Sequence, residues 1–144
     1  MNVSIAYEFI ERDDLLVVVW DGLVSGADWT EFVDQRMVDN PNWPPGKRAI
    51  ADILTVDPSS LSVTDVAAVT GVYRTLARNF TGKRIAIVAA AGWDIAVEYE
   101  QHIDRLGSTT IVFNQIESAC GWLGVDARST REVIRTLRAG LRHG

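Results

Sequence analysis

The feature that most constrains the fold is a regular alternation between short apolar runs and longer stretches of helical spacing. Two apolar runs come first, and each later run is separated from the next by a stretch with an apolar stripe at helical spacing. The predicted order of strands and helices is therefore β-β-α-β-α-β-α-β-α-α. Strands that alternate with helices predict right-handed crossovers and a mostly parallel sheet in one α/β domain.

The first two runs predict a hairpin. Ile5, Tyr7 and Phe9 alternate with Ala6 and Glu8, which is the period of a strand with one face more exposed to solvent than the other. Residues 15–20 are almost continuously apolar and rich in valine, as in a strand buried on both faces. We therefore expect the first strand to be an antiparallel edge of a mixed five-stranded sheet.

The third run, residues 48–54, predicts the central strand, and a polar loop joins it to a helix predicted over residues 66–80. Ser62 and Asp65 have the spacing of a capping box at the start of that helix, and Ser25 and Asp28 have the same spacing before an earlier helix. Residues 129–132 predict a further capping box, which would open the terminal helix.

Length and composition limit the class of protein. A chain of 144 residues forms one domain, and a net charge of -5 argues against nucleic-acid binding. No apolar run approaches the length of a membrane span, and the first residues do not resemble a signal peptide, so we expect a cytoplasmic protein with no integral membrane association. The single cysteine, Cys120, lies on an apolar helix stripe and is expected to be buried. We expect no cofactor and no metal.

The charge is unevenly distributed. Residues 128–144 contain five arginines and one glutamate, a net of +4, which leaves -9 for residues 1–127. We divide the chain into a body of residues 1–125 and a basic amphipathic helix of residues 126–144, which packs on the body or extends it. The arginines expected on one side of this helix are Arg131, Arg135, Arg138 and Arg142. They face solvent, an acidic membrane, or the acidic body of the same or a second chain.

Several segments resemble a bacterial family of small STAS-like proteins, which are distant relatives of the anti-sigma-factor antagonists and are also described as SEC14-like. The segments are residues 41–48, 62–66, 84–89, 112–113 and 119–124, together with Asp52. The resemblance covers the chain to about Val125. It implies a βα superhelix with a mixed sheet, helices mainly on one face, and here an extra C-terminal helix.

The resemblance also implies a regulatory loop before the second helix. In anti-sigma-factor antagonists, a serine or threonine of an Asp-Ser-Ser/Thr-Gly loop is phosphorylated and switches partner binding. The matching residues here are Asp57, Ser59, Ser60 and Ser62, with Pro58 inserted and Leu61 in place of glycine. A phosphate near a helix start is favoured by the helix dipole. In the alternative, Ser62 caps the helix and Ser59 and Ser60 only form the turn.

Catalytic signals are weak. His102 is the only histidine within the folded body, and it is far in sequence from the serine loop. Asp52 lies in an apolar strand, where it has either a perturbed pKa or a position at the wet end of the strand. Loss of some turnover on alanine substitution of Ser59, Ser60 and Asp52 would be needed to support a hydrolase or transferase.

The sequence therefore favours a non-enzymatic, regulatory STAS-like domain that binds a protein partner and forms a homodimer. Ala86, Val88 and Ala90 would share one strand face, and their small side chains suit the close approach of another layer or subunit. The alternative is a module that binds a small apolar ligand or lipid. Its candidate pocket walls are Trp29, Trp93, Tyr99 and Trp122.

Overall fold

The computed structural model describes residues 4–75 and 77–143 and contains a mixed five-stranded sheet. The strands are β1 (Ile5–Ile10), β2 (Leu15–Leu23), β3 (Arg48–Asp57), β4 (Arg84–Val88) and β5 (Thr109–Phe113). Their spatial order is β1-β2-β3-β4-β5, with β1 antiparallel to β2 and all other neighbours parallel. The predicted sheet and its antiparallel edge are confirmed.

The sheet is covered on both faces. The helices are α1 (Gly26–Asp39), α2 (Val63–Arg74), α3 (Trp93–Asp104), α4 (Ile116–Leu123) and α5 (Ala127–His143), in the predicted order. Side chains of α1, α2 and α3 pack in one apolar core, and those of α4 and α5 pack in a second core on the opposite face. Helices are thus more numerous on one face, but the other face is also covered. No described helix is long and apolar enough to cross a membrane.

Capping explains where α1 and α2 begin. Ser25 Oγ accepts from the N–H of Asp28 at 3.0 Å, and Ser62 Oγ accepts from the N–H of Asp65 at 3.3 Å. Each aspartate carboxylate in turn accepts a bond from the backbone N–H of its capping serine, so both predicted capping boxes are confirmed. The second helix ends at Arg74, earlier than predicted, and a short 3₁₀ turn follows at Ala77–Asn79.

The capping box predicted at residues 129–132 is wrong. The terminal helix begins at Ala127, and the carboxylate of Asp126 accepts from the N–H of Ser129 at 2.8 Å. Ser129 therefore lies inside the first turn. An aspartate is as good an N-cap as a serine, and the earlier aspartate takes the position here.

The small side chains on β4 serve packing within the chain. Ala86 and Val88 are fully buried in the same core as Ala119 and Cys120 of α4. That face of the strand is therefore occupied by the chain's own helix. In the sequence, these small side chains are one argument for a homodimer. Any dimer contact would need a different surface.

Candidate functional site

The serine loop begins where β3 extends beyond its pairing with β4. Asp57 ends the strand, its Oδ1 accepts from the N–H of Ser59 at 3.0 Å, and Pro58–Ser60 forms a 3₁₀ turn. This bond from the Ser59 backbone holds the pKa of the Asp57 carboxyl below its ordinary value. The inserted Pro58 fits the first position of the turn, where no backbone donor is needed.

The three serines differ in how their hydroxyls are used. All three are exposed, but Ser62 Oγ is engaged with Asp65 in the capping box. The Ser59 hydroxyl lies beside the Asp57 carboxylate and helps to hold its pKa down, whereas the Ser60 hydroxyl forms no hydrogen bond to any described residue. The loop therefore combines both interpretations of the sequence, since Ser62 is a cap while Ser59 and Ser60 are exposed to solvent.

Apolar side chains are exposed around this loop. Leu23, Val63 and Trp93 have exposed fractions of 46%, 57% and 39%. Leu23 is paired with Asp57 in the sheet, Val63 follows Ser62, and Trp93 follows Gly92, which lies against Val56. We call Leu23, the 57–62 loop, Val63 and Trp93 the carboxyl-end surface, since they lie where the parallel strands end.

A second candidate site is an apolar cavity of about 110 Å³ between the sheet and the first three helices. Trp20, Trp29, Phe32, Trp43 and Tyr99 supply much of its aromatic lining. For comparison, an apolar cavity of about 150 Å³ in another protein accepts benzene. The space suits a small aromatic or short alkyl group and is too small for a whole phospholipid.

Two tyrosines line this cavity. Burial raises the pKa of Tyr73 and of Tyr99, and the nearby Tyr73 raises that of Tyr99 further. Both hydroxyls are therefore neutral at physiological pH. They provide polar groups in an otherwise apolar lining.

The four aromatic residues predicted as pocket walls do not form one pocket. Trp29 and Tyr99 lie together, with ring centroids 5.7 Å apart, and both line the cavity. Trp93 is exposed at the start of α3, and Trp122 lies on the opposite face of the sheet, where Arg84 packs over its ring at 4.5 Å. Helical spacing alone did not show which face of the sheet each helix covers.

Asp52 does not lie at a wet end of its strand. It is only 1% exposed in the central strand, and its Oδ2 lies 2.9 Å from Nη2 of Arg138 on α5. Its Oδ1 accepts from the N–H of Leu54 at 2.9 Å. Arg138 Nη2 makes no aligned hydrogen bond to any described residue, so its contact with Asp52 is an ion pair determined by charge and distance.

The arginines of α5 bind the chain's own acidic groups. Arg142 forms two bonds to the Asp21 carboxylate, at 2.9 and 3.0 Å, and these bonds hold the pKa of Asp21 below its ordinary value. Arg131 pairs with Glu117 of α4, and Arg135 pairs with Glu132. Docking on the acidic body of the same chain is thus observed for Arg131, Arg138 and Arg142, whereas Arg135 pairs within α5 and faces solvent.

The described residues contain few elements of a catalytic site. His102 Nε2 lies 3.3 Å from Glu98 Oε1, in the last turns of α3, whereas the serine loop lies beside the first turn of α2. Cys120 is 1% exposed, as its apolar stripe predicted, and burial raises the pKa of its thiol. No cluster of three or more histidine, cysteine or acidic side chains suited to a metal is present in residues 4–75 and 77–143.

Comparisons with known proteins identify the fold. No protein-family model matches the sequence, and no curated protein matches it. Among solved structures, the chain is similar to an uncharacterised protein of the DUF3478 family from Shewanella loihica PV-4, which has a SpoIIAA-like fold. The TM-score is 0.56 at 17% sequence identity, over 85% of this chain and 97% of that one. The chain therefore has a STAS/SpoIIAA-like α/β fold, as the resemblance implied.

Proposed function

From this fold, we propose that the protein is a non-enzymatic regulatory domain that binds a protein partner through its carboxyl-end surface. The observation that carries the proposal is the exposure of Leu23, Val63 and Trp93 beside a loop with two exposed serines, Ser59 and Ser60. Exposed apolar side chains that cluster in one place mark interaction surfaces more often than isolated ones do. The partner presents apolar side chains to this surface.

The serine loop supplies a means of regulation within the same proposal. Ser59 and Ser60 are exposed and neither caps a helix with its side chain, whereas modification of Ser62 would disrupt the cap of α2. A phosphate on Ser59 or Ser60 adds up to two negative charges between the apolar side chains and the Asp57 carboxylate. We expect this charge to weaken an apolar contact.

In-cell photo-crosslinking tests the proposal. A photoreactive amino acid replaces Val63, and the same amino acid at Val38, which is 79% exposed on α1, serves as the control. We expect a discrete crosslink to one protein from position 63 and none to that protein from position 38. Ser59→Glu and Ser60→Glu should reduce the crosslink, while Ser59→Ala and Ser60→Ala should preserve it.

Two results would contradict the proposal. Crosslinks of equal pattern from positions 63 and 38 would show no specific surface. A crosslink that is unaffected by Leu23→Asp and Trp93→Asp would show that the partner does not use the carboxyl-end surface. Intact-mass analysis of protein from its own host tests the modification separately, since a phosphoryl mass on the 57–62 loop is expected.

The apolar cavity favours a second function, the binding of a small apolar ligand. Its support is the apolar lining with two neutral tyrosine hydroxyls. Because Trp29 lines the cavity, benzene or hexanoic acid should change tryptophan fluorescence in a saturable way. Ala51→Val, which places extra volume in the cavity, should abolish the change while the protein remains folded. An unchanged spectrum with both probes counts against this function.

A further inference from the structure

The two edges of the sheet differ in whether their backbone groups are satisfied. At the β5 edge, the N–H of Thr110 donates to Oδ1 of Asp104 at 2.7 Å, and the N–H of Val112 lies near the carboxylate of Glu100. The N–H of Thr109 donates to Lys83 and the C=O of Phe113 accepts from Ala89, so the odd-numbered residues of β5 face β4. The N–H groups of Thr110 and Val112 therefore point away from β4. Two carboxylates of α3, one turn apart, thus lie against the donors that another strand would need, and one of them is hydrogen-bonded to its donor.

The β1 edge has no such cover. The N–H of Asp21 donates to the C=O of Ser4 at 3.0 Å. Because every second residue of an antiparallel strand bonds to the same neighbour, Ala6, Glu8 and Ile10 also bond to β2. The N–H and C=O groups of Ile5, Tyr7 and Phe9 point away from the sheet. Within residues 4–75 and 77–143 these groups have no hydrogen-bond partner, and every residue of β1 is at least partly exposed.

We propose that β1 pairs antiparallel with β1 of a second copy of the chain, about a two-fold axis at Tyr7, so that the two sheets become one sheet of ten strands. The inference goes beyond the proposed function, because it names a surface for the homodimer expected from the sequence and leaves the carboxyl-end surface free for another partner. It does not depend on the partner of that surface.

The strand is self-complementary in this register. When Tyr7 faces the second copy's Tyr7, Ile5 faces Phe9 and Ala6 faces Glu8, so the charged Glu8 does not oppose a like charge. The three outward residues of each copy then exchange about six backbone hydrogen bonds. The two strands could also pair about a neighbouring two-fold axis with the same backbone groups facing outward. Such a shift would pair fewer residues of β1, so the axis at Tyr7 is favoured.

The side chain at the axis is already ordered. The Tyr7 ring packs edge-on against Phe32 and Trp43, with centroids 5.9 and 5.0 Å away, and the Arg36 guanidinium lies 5.1 Å from its centre. Little conformational entropy is lost when such a side chain is buried further. The ring is 38% exposed, and a second copy on this edge would cover it.

Sedimentation velocity from about 1 to about 100 µM tests the proposal with a pair of charge-matched variants. Tyr7→Lys places two lysines opposite each other at the axis and should raise the dimer dissociation constant at least about tenfold. Val38→Lys adds the same charge on exposed α1 and should leave the constant unchanged. Circular dichroism and thermal melting establish that both variants fold.

A disulfide test reports the geometry directly. Residues opposite each other in a hydrogen-bonded antiparallel pair have Cα atoms about 5.5 Å apart, which is within disulfide range. Tyr7→Cys should therefore form a covalent dimer under mild oxidation, while Val38→Cys should not. The native cysteine, Cys120, is buried and does not interfere.

The outcomes separate this inference from the proposed function. A dimer that survives Tyr7→Lys, or a Tyr7→Cys protein that does not crosslink to itself, overturns pairing at β1 but leaves the proposed partner surface intact. A wild-type protein that is monomeric at the highest concentration overturns the dimer itself. A disulfide that joins the Tyr7→Cys variant to a different protein would identify another strand as the occupant and would also overturn the inference.

Discussion

The carboxylate of Asp52 lies 2.9 Å from Nη2 of Arg138, so an ion pair buried beneath α5 ties the last helix to the central strand. Arg138 Nε also donates to Thr55 Oγ1, which in turn donates to Asp21, the partner of Arg142. The first prediction concerns this pair. Arg138→Met leaves the Asp52 charge buried and uncompensated, and should lower the free energy of unfolding by about 3–5 kcal/mol in urea denaturation.

The double variant provides the control. Asp52→Val with Arg138→Met removes both charges, and should recover most of the stability lost in the single variant, because two apolar side chains of similar size replace a desolvated pair. If the single and double variants lose equal stability, the cost comes from packing at Arg138 and not from the unpaired carboxylate.

The second prediction concerns Asp21. The hydrogen bond from Arg142 is the largest of the contributions that hold the pKa of Asp21 below 3.8. The ionised carboxylate therefore stabilises the fold above about pH 3.8. This stabilisation is lost as the pH falls through the pKa of the folded state. Arg142→Gln should raise the Asp21 pKa toward 3.8 in a carboxyl NMR titration. Arg135→Gln, whose partner is Glu132, is expected to leave it unchanged. Equal effects of the two variants would contradict the assignment.

The third prediction concerns Lys83. Burial lowers the pKa of its amine from 10.5 to about 8, although the nearby Asp14 opposes the shift. The folded state therefore binds fewer protons than the unfolded state between about pH 8 and pH 10.5, and stability should rise with pH in that window. Because the side chain is only half-buried, we expect a rise of about 1 kcal/mol relative to Lys83→Met.

The measurement for Lys83 is urea unfolding at intervals from about pH 7 to about pH 10. Subtracting the Lys83→Met curve removes the groups that titrate in both proteins. Lys47→Met is the charge-matched control and should retain the rise. A flat difference between wild type and Lys83→Met would show that the amine stays protonated over this range.

The fourth prediction concerns the contact between α1 and α2. A methyl group on Gly26 would overlap the carboxylate of Asp65, which completes the capping box of α2. Gly26→Ala should therefore destabilise the protein by about 1 kcal/mol or more. Gly71 lies on α2, where an added methyl group would meet open space, so Gly71→Ala should stabilise the protein by about 0.5–1 kcal/mol. Thermal unfolding of the two variants should shift in opposite directions, and a shift in the same direction would contradict the contact.

Local signals predicted the fold well. Ser25 and Ser62 start their helices as their spacing to Asp28 and Asp65 predicts, and the valine-rich run of residues 15–20 is an inner strand. Such features depend on neighbours within a few residues, which a single sequence displays. The wrong start of α5 arose because two adjacent segments both carried valid capping residues.

The candidate sites depended on distant contacts, which the sequence does not display. Asp52 lies far along the chain from Arg138, and nothing local indicates that a strand aspartate and a helix arginine meet. An aspartate inside an apolar strand, together with a terminal helix rich in arginine, was the available signal. Trp122 and Trp29 likewise share helical spacing but belong to different cores, because the faces that α1 and α4 cover are decided by chain topology.

The carboxylates of Glu100 and Asp104 have a consequence for the size of any assembly. A sheet with two open edges could add copies without limit and grow into a fibre, whereas the proposed pairing of β1 with itself would use the open β1 edge of each copy. With β5 covered by α3, growth would end after a single addition. Removing both acceptors, as in Glu100→Leu with Asp104→Leu, would remove this stop, and the protein's solubility at high concentration should then fall.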